Sequence, residues 1–528
     1  IGDIFVITGQ SNAVGQNTNN NEYYHPTLKA ALFGNDYNWK ELVDPVDSSS
    51  GQVDSISSDT PGGSLWTVFA TLWMKATGVP VAFIPCAKTG SRIGSADSLS
   101  WAPGGDHSDR TTLYGSMRYR VGQCGDAVRG VMMWVGESDA LDGTAEADFN
   151  SRLDTFANAC NSDFGGKVMI CKLEVMDSGG WVADVTGINS AIATAWSDNP
   201  NILTGPDLSE FNPIDGDVHY SNRDVYYIAS RWFQAASRAW LTADNYFVQA
   251  GFGGGAGNSI TAKFPYSVTA GSLIVAVVAQ YGGTIMGASN LADNQGNSYA
   301  LAGTVHQYSG DSNFRLGIYY AYNVTGGTIT ITGTFSGSPG ISMLIHEYKN
   351  VMSSADPKDQ YTSADYTDNS TPPDSGDTST ISQSPEMIFG AMAVFSSGTT
   401  RMRYGTDFTL RMAAAQNTYF NECASEEKIV NSVAAYKATF SYVPSAGTPG
   451  WTCAVATFKL LSGSESSSSS SSLSASLSTS QSASTSASAS ATSSASKSSS
   501  TSSSTSASAS ASPAASGTSP NWGLMHLW

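Results

Sequence analysis

Charge is scarce in this 528-residue chain: Asp, Glu, Lys and Arg together make up 13%, about half the ~25% usual in soluble globular proteins. Basic residues are the scarcer kind, 26 against 44 acidic, for a net charge of −18. So acidic a chain repels phosphate backbones, which argues against nucleic-acid binding through a basic groove. No apolar run approaches the ~20 residues needed to span a bilayer, so membrane insertion is not expected. Cysteine is sparse too. Cys86, Cys124, Cys160, Cys171, Cys423 and Cys453 are too few for a disulfide scaffold, and none forms a Cys-x-x-Cys pair. Cys124 with Cys160, and Cys423 with Cys453, are pairings open to an exported protein. With no His-Glu-x-x-His, no paired cysteine and no Asp-rich calcium loop, neither a metal nor another cofactor is expected. The chain opens at Ile1 with no methionine or leader, which reads as a mature or trimmed piece.

Apolar substance is plentiful, at 41% hydrophobic and 10% aromatic residues, and the length exceeds what one core organises. Three regimes follow one another. In residues 1–243, short apolar runs alternate with helix-like patterns. Asp3–Thr8, Val79–Cys86, Gly130–Val135 and Lys167–Val175 read as buried strands of a parallel sheet. Asp59-Thr60-Pro61 starts a helix that runs through Leu65–Ala76 and stops at Gly78. Ser221-Asn222-Arg223-Asp224 resembles a capping box before "VYYIASRWFQAASRAW". The expected fold is a three-layer α/β/α parallel sheet, flavodoxin-like. In residues 244–461 the period turns to two, with strand candidates such as "GSLIVAVVAQ" and "ISMLIHEYKNV", which implies an all-β sandwich of jelly-roll type. Residues 462–528 are Ser/Ala/Thr repeats, expected to form a disordered linker and tail.

The first apolar run leads into Gly9-Gln10-Ser11-Asn12-Ala13-Val14-Gly15. A serine on a strand-to-helix turn sits at the carboxyl edge of an open α/β sheet, where ligands bind. Free N–H groups at the helix start suit a developing oxyanion, although a plain helix cap gives the same spelling. A serine nucleophile needs a base, and the chain has six histidines. His219, in Asp215-Gly216-Asp217-Val218-His219-Tyr220, lies between acids and a helix. His25 and His107 are in polar loops, His306 and His346 in the β region, and His526 in the tail.

Four segments occur in order: "GQSNAVG" at Gly9–Gly15, "IPCAKTGSRI" at Ile84–Ile93, "WVGESDA" at Trp134–Ala140 and "DVHYS" at Asp217–Ser221. Together they resemble blocks I, II, III and V of the SGNH-hydrolase superfamily, nearest the sialate O-acetylesterase and acetylxylan esterase branch. The resemblance covers residues 1 to about 240. It implies Ser11 as nucleophile, His219 as general base, and Asp217 as the acid orienting the imidazole, with Asp215 or no acid as alternatives. The N–H groups of Ser11 and Gly90 would form the oxyanion hole. Gln10, Asn12, Glu137 and Trp101 would support the site, Trp101 lining the substrate cleft and Glu137 bracing the nucleophile loop. Asp139 matches the second acid of block III. Three positions depart from the pattern: Val135 stands where the family has an oxyanion-binding Gln, Thr89 replaces a Gly, and Gly216 holds the usual place of the acid.

The implied chemistry is removal of O-acetyl groups from sialic acid-type or xylan-type carbohydrates through an acyl-enzyme. A neutral imidazole is required, so activity should rise with pH through the histidine range near ~6–7. An acetylated glycan is the expected partner, and the setting extracellular or virion-associated, with surface, matrix or virion attachment through the β region or tail. A non-catalytic carbohydrate-binding or adhesion protein on the same fold is the alternative, favoured by Val135 and the displaced acid. A lipase or thioesterase fits less well, because "GSRIGSADSLSWAPGGDHSD" is polar. In the β region Tyr281, Tyr299 and Tyr308 are sugar-stacking candidates, or else ordinary packing residues.

Overall fold

The computed structural model describes residues 2–16, 20–46, 62–93, 98–125, 127–174, 176, 182–209, 211, 218–221, 224–241, 246–366, 372–395, 400–414, 421–444 and 450–461. All of them lie in one compact unit, Ile1–Ser469. The Ser-rich tail, Asp59–Pro61, Asp215, Gly216 and Asp217 fall outside the described residues.

The first region runs β1 (Asp3–Gly9), α1 (Ser11–Val14), β2 (Ala31–Phe33), β3 (Trp39–Glu41), α2 (Trp66–Thr77), β4 (Val81–Pro85), α3 (Leu113–Gln123) and β5 (Gly130–Trp134). It continues with α4 (Glu137–Leu141), α5 (Glu146–Phe164), β6 (Val168–Lys172), α6 (Thr186–Asp198), β7 (Ile202–Asp207) and α7 (Val225–Trp240). The sheet order is β3-β2-β4-β1-β5-β6-β7. Every pairing is parallel except β2 with β3. The purely parallel sheet expected from sequence is thus corrected at one edge. All three residues of β3 are exposed, so no apolar pattern announces it.

α2 ends at Gly78, whose φ of +67° closes the helix in the left-handed conformation. α7 begins at Val225, and the Asp224 carboxylate accepts a hydrogen bond from the Ser221 N–H at 2.8 Å. The core beneath these helices is aromatic. Phe5 of β1 meets Phe69, Trp73 and Trp240 at 5.8, 5.0 and 5.2 Å between ring centroids. Trp66 of α2 meets Trp232 of α7 at 5.6 Å. These rings, all well buried apart from the half-buried Trp240, hold β1, and hence the turn that follows it, in place.

The second region is all β. Its largest sheet orders Ala300–Leu301, Asp311–Ala321, Leu273–Tyr281, Gly340–Tyr348 and Phe247–Ala256, with His306–Tyr308 added on Asp311–Ala321. A five-stranded sheet orders Lys358–Tyr366, Gly450–Lys459, Glu386–Phe395, Asn421–Val430 and Thr409–Ala414. A three-stranded sheet joins Leu291–Asp293, Thr330–Thr334 and Ser259–Lys263. Along Leu273–Tyr281 the side chains part by parity: Val275 and Val277 pack with Phe389 and Ala391 of the five-stranded sheet. Ile274, Ala276 and Val278 pack with Ile329 and Ile331 on the other side. The largest sheet is therefore the middle of three layers, not one half of a two-sheet jelly roll. Covered on both faces, its central strands are buried without alternation.

The six cysteines are free thiols. Cys423 and Cys453 flank the strand Glu386–Phe395 on opposite sides, opposite Ala393 and Met392. Two strand spacings, roughly 9–10 Å, exceed the reach of a disulfide. Tyr308 is buried, and the Tyr299 hydroxyl donates to Asp293 Oδ2 at 2.9 Å, so both serve packing. No helix among the described residues is long and apolar enough to cross a membrane.

Candidate active site

The residues singled out by sequence gather at one edge of the sheet. Ser11 follows β1, Lys88–Ser91 follow β4, and Gly136–Glu137 follow β5. Val218–Tyr220 follow β7. The first three are thus carried by the carboxyl ends of parallel strands, the edge where open α/β sheets bind ligands.

The Ser11 turn starts at Gly9, whose φ is +117° and whose hypothetical Cβ would lie 1.9 Å from the Trp134 carbonyl oxygen. Only glycine lets β1 and β5 end this close together. Ser11 itself is 6% exposed. Gln10 Oε1 accepts from the N–H groups of Gly136 and Ser138 at 3.3 and 3.2 Å, fixing block III to block I.

Asn12, next to the serine, is the hub. Its Nδ2 lies 3.0 Å from Glu137 Oε1, 2.9 Å from Glu174 Oε1 and 3.1 Å from the Val218 carbonyl. The first two contacts join blocks I and III to a residue just past β6, and the third brings in the histidine segment. Tyr220, on the far side of His219, accepts from the Leu65 N–H at 3.1 Å and stacks on Trp134 at 5.7 Å and 19°. Both neighbours of His219 are thereby pinned to the elements around Ser11, and His219 is half-buried between them. Asp217 lies outside the described residues.

Glu137 and Glu174 are each 1% exposed. Burial pushes both carboxyls above their ordinary range. The charge of Glu137 adds to the effect on Glu174, and that of Asp139 to the effect on Glu137. Two buried carboxyls on one amide nitrogen cannot both ionise cheaply, so the pair retains a proton. Glu174 was not among the residues read from sequence. Its one signal there is a carboxylate inside the apolar run "KVMICKLEV".

Block II is tied to the same turn. Lys88 N–H donates to the Gly9 carbonyl at 2.9 Å, as does the Ser91 hydroxyl at 2.9 Å. Gly90, at φ +73° with open space where a Cβ would be, occupies the left-handed corner of the Lys88–Ser91 turn. Trp101 requires a correction. It is wholly buried, and its indole N–H donates to the Ser91 hydroxyl at 2.8 Å. It lines no cleft. It supports block II from beneath, because its ring packs edge-on against Phe156 of α5. Asp139 likewise braces, accepting from the Ile93 N–H at 3.0 Å. Val135 is fully buried and supplies no side-chain donor.

A second Ser-His-Asp chain exists in the β region. His306 Nε2 lies 2.8 Å from Asp365 Oδ1, and its Nδ1 lies 3.0 Å from the Ser363 hydroxyl. Sequence spacing gave no hint of it, since the partners meet only through strand pairing.

Residues 1–202 match the family model described as carbohydrate esterase, sialic acid-specific acetylesterase. That match spans the first three of the four sequence blocks from which the resemblance was read. His219 lies beyond the matched span. No curated protein matches the chain. Among solved structures, a protein from Arabidopsis thaliana is 19% identical, with 45% of this chain and 99% of that one covered and a TM-score of 0.35. A carbohydrate acetylesterase from Xanthomonas citri is 14% identical, with coverages of 65% and 78% and a TM-score of 0.36. The protein NanS is 14% identical, with coverages of 45% and 97% and a TM-score of 0.34.

Proposed function

We propose that the chain is a serine esterase that removes O-acetyl groups from carbohydrates. Ser11 is the nucleophile and His219 the base. The observation that carries the reading is the Asn12 amide, which bonds the segment of His219 to the turn of Ser11. His219 takes the Ser11 proton as the hydroxyl oxygen attacks the acetyl carbonyl. The oxyanion forms against the N–H groups of Ser11 and Gly90. His219 then protonates the departing sugar oxygen, and water, deprotonated by the same imidazole, releases acetate from Ser11. Asp217 is assigned the role of orienting His219.

Asn12 cannot stand in for the Gln that Val135 replaces, because its amide nitrogen already faces three acceptors. Two backbone donors then hold the oxyanion, and one missing donor costs about 10²–10³ in kcat. A slow enzyme is expected.

The test is acetate release from 4-nitrophenyl acetate by the full chain, Ser11→Ala and Ser363→Ala. Loss in the first variant alone supports the proposal. Equal rates in all three overturn it in favour of a sugar-binding scaffold, and loss only in Ser363→Ala moves the chemistry to the β region. Acetylated xylan against O-acetyl sialic acid separates the substrate classes.

A further inference from the structure

A cavity of about 750 Å³ opens at the other end of the sheet, among the amino ends of β1 and β5, the ends of α2 and α7, and the first strand of the β region. That volume falls in the ~300–1,000 Å³ range of small-molecule sites. Asp3, in its wall, stands six positions along β1 from Gly9 near Ser11. At ~3.3 Å per residue this is about 20 Å, so the cavity is not part of the site above.

Its charge runs against that of the chain. Acidic residues outnumber basic ones 44 to 26 overall, yet the wall holds Arg129, Arg238, Lys349 and Arg411 against the single acid Asp3. Two of the cations are already matched. Arg129 lies 3.6 Å from Asp3, and Arg411 is paired with Glu427 behind the wall. Arg238 and Lys349 have no carboxylate partner among the described residues. The Arg238 guanidinium lies over the Tyr266 ring at 3.8 Å, which orients it without neutralising it.

Behind the wall lie buried donors. Gln234 is 5% exposed, and its Oε1 accepts from the Ala250 N–H at 2.9 Å. Its Nε2 and the Ser237 hydroxyl are buried with no partner among the described residues. Phe233 supplies apolar surface in the wall, whereas the Arg411 guanidinium lies over the Phe247 ring at 4.1 Å.

We infer that this cavity binds a small anionic sugar, a sugar acid or a sugar phosphate. Arg238 and Lys349 would meet the anion, and the apolar surface of Phe233 the ring. The inference does not rest on the esterase reading.

Calorimetric titration of the full chain with glucuronic acid, glucose 6-phosphate and glucose tests it. At least one anion is expected to bind while glucose does not, and added salt should weaken binding. Which anion binds distinguishes carboxylate from phosphate. The double variant Arg238→Gln, Lys349→Gln, at one exposed and one half-buried position, should melt like the parent and lose about tenfold or more in affinity, roughly one charged contact. Its 4-nitrophenyl acetate rate should be unchanged, whatever that rate is. Binding of glucose as tight as the anions, undiminished affinity in the folded double variant, or no heat from either anion overturns the inference.

Discussion

The Asn12 amide donates to the Val218 carbonyl at 3.1 Å across 206 residues of sequence. One of these residues adjoins Ser11 and the other adjoins His219, so a single side chain sets the spacing of the two segments proposed to carry nucleophile and base. Asn12 is a positioning residue. In Asn12→Ala, kcat for 4-nitrophenyl acetate should fall about 10²-fold, the cost of a misplacement near 1 Å, while KM stays within a factor of two or so. Stability should drop by roughly 1–3 kcal/mol, because the buried acceptors around Nδ2 lose the two hydrogens they share. A variant that loses stability but keeps kcat would reduce Asn12 to a structural role.

Glu174 gives a pH signature. Its carboxyl is held above the ordinary range by burial and by the charge of Glu137. The unfolded chain releases this proton near pH ~4.3, whereas the folded chain keeps it. Stability is therefore unpenalised below that pH and declines as pH rises toward the folded value, by about 1.4 kcal/mol per pK unit of difference. Glu174→Gln retains an acceptor for Asn12 and removes the titration. Its melting temperature should exceed that of the parent increasingly as pH rises above about 5. A gap that does not change with pH would show that Glu174 stays ionised.

Part of this was legible beforehand, and the reasons differ by element. β1, β4, β5 and β6 are short unbroken apolar runs, because a parallel strand covered on both faces has no polar side. α2 and α7 carried end signals in Gly78 and Asp224 that act locally. β7 did not stand out, since "ILTGPD" is spelled like a turn. Gly205 is there because a Cβ would lie 2.1 Å from the Ile170 carbonyl oxygen, a demand made by the neighbouring strand. Glu174 was illegible for the same kind of reason. Its meaning comes from Asn12, 162 positions away. The cleft role read for Trp101 failed because motif position does not state which way a ring points.

Trp101 offers a test that separates packing from hydrogen bonding. Its N–H orients the Ser91 hydroxyl, which in turn holds the Gly9 carbonyl. Trp101→Phe keeps an aromatic ring and deletes the donor. The expected cost is about 1–3 kcal/mol from the smaller ring and the unmet hydrogen bond. Thermal melting measures it, and KM for any sugar ester should stay put because the ring touches no solvent-open surface. A large rise in KM with unchanged stability would restore Trp101 to the cleft.

His346 makes the β region sensitive to acid. The ring is wholly buried between the Val275 carbonyl, 3.2 Å from Nδ1, and the Ser425 hydroxyl, 2.7 Å from Nε2. Burial lowers its pKa from the usual 6.5 to about 3, with the Arg411 charge adding to the effect. As pH falls below 6.5 the unfolded chain takes up a proton that the folded chain refuses until about pH 3. The stability present above 6.5 is therefore lost through that window, by about 1.4 kcal/mol per pH unit. His346→Gln keeps polar atoms near both partners but does not titrate. Melted at about pH 7.5 it should be less stable than the parent, by the roughly 1–3 kcal/mol of a disturbed buried contact. The difference should shrink steadily on acidification and close or reverse by about pH 4.5. This slope is opposite in sign to that of Glu174, so the two variants measured together distinguish a buried base from a buried acid. Parallel pH curves for parent and His346→Gln would mean that the imidazole protonates in place.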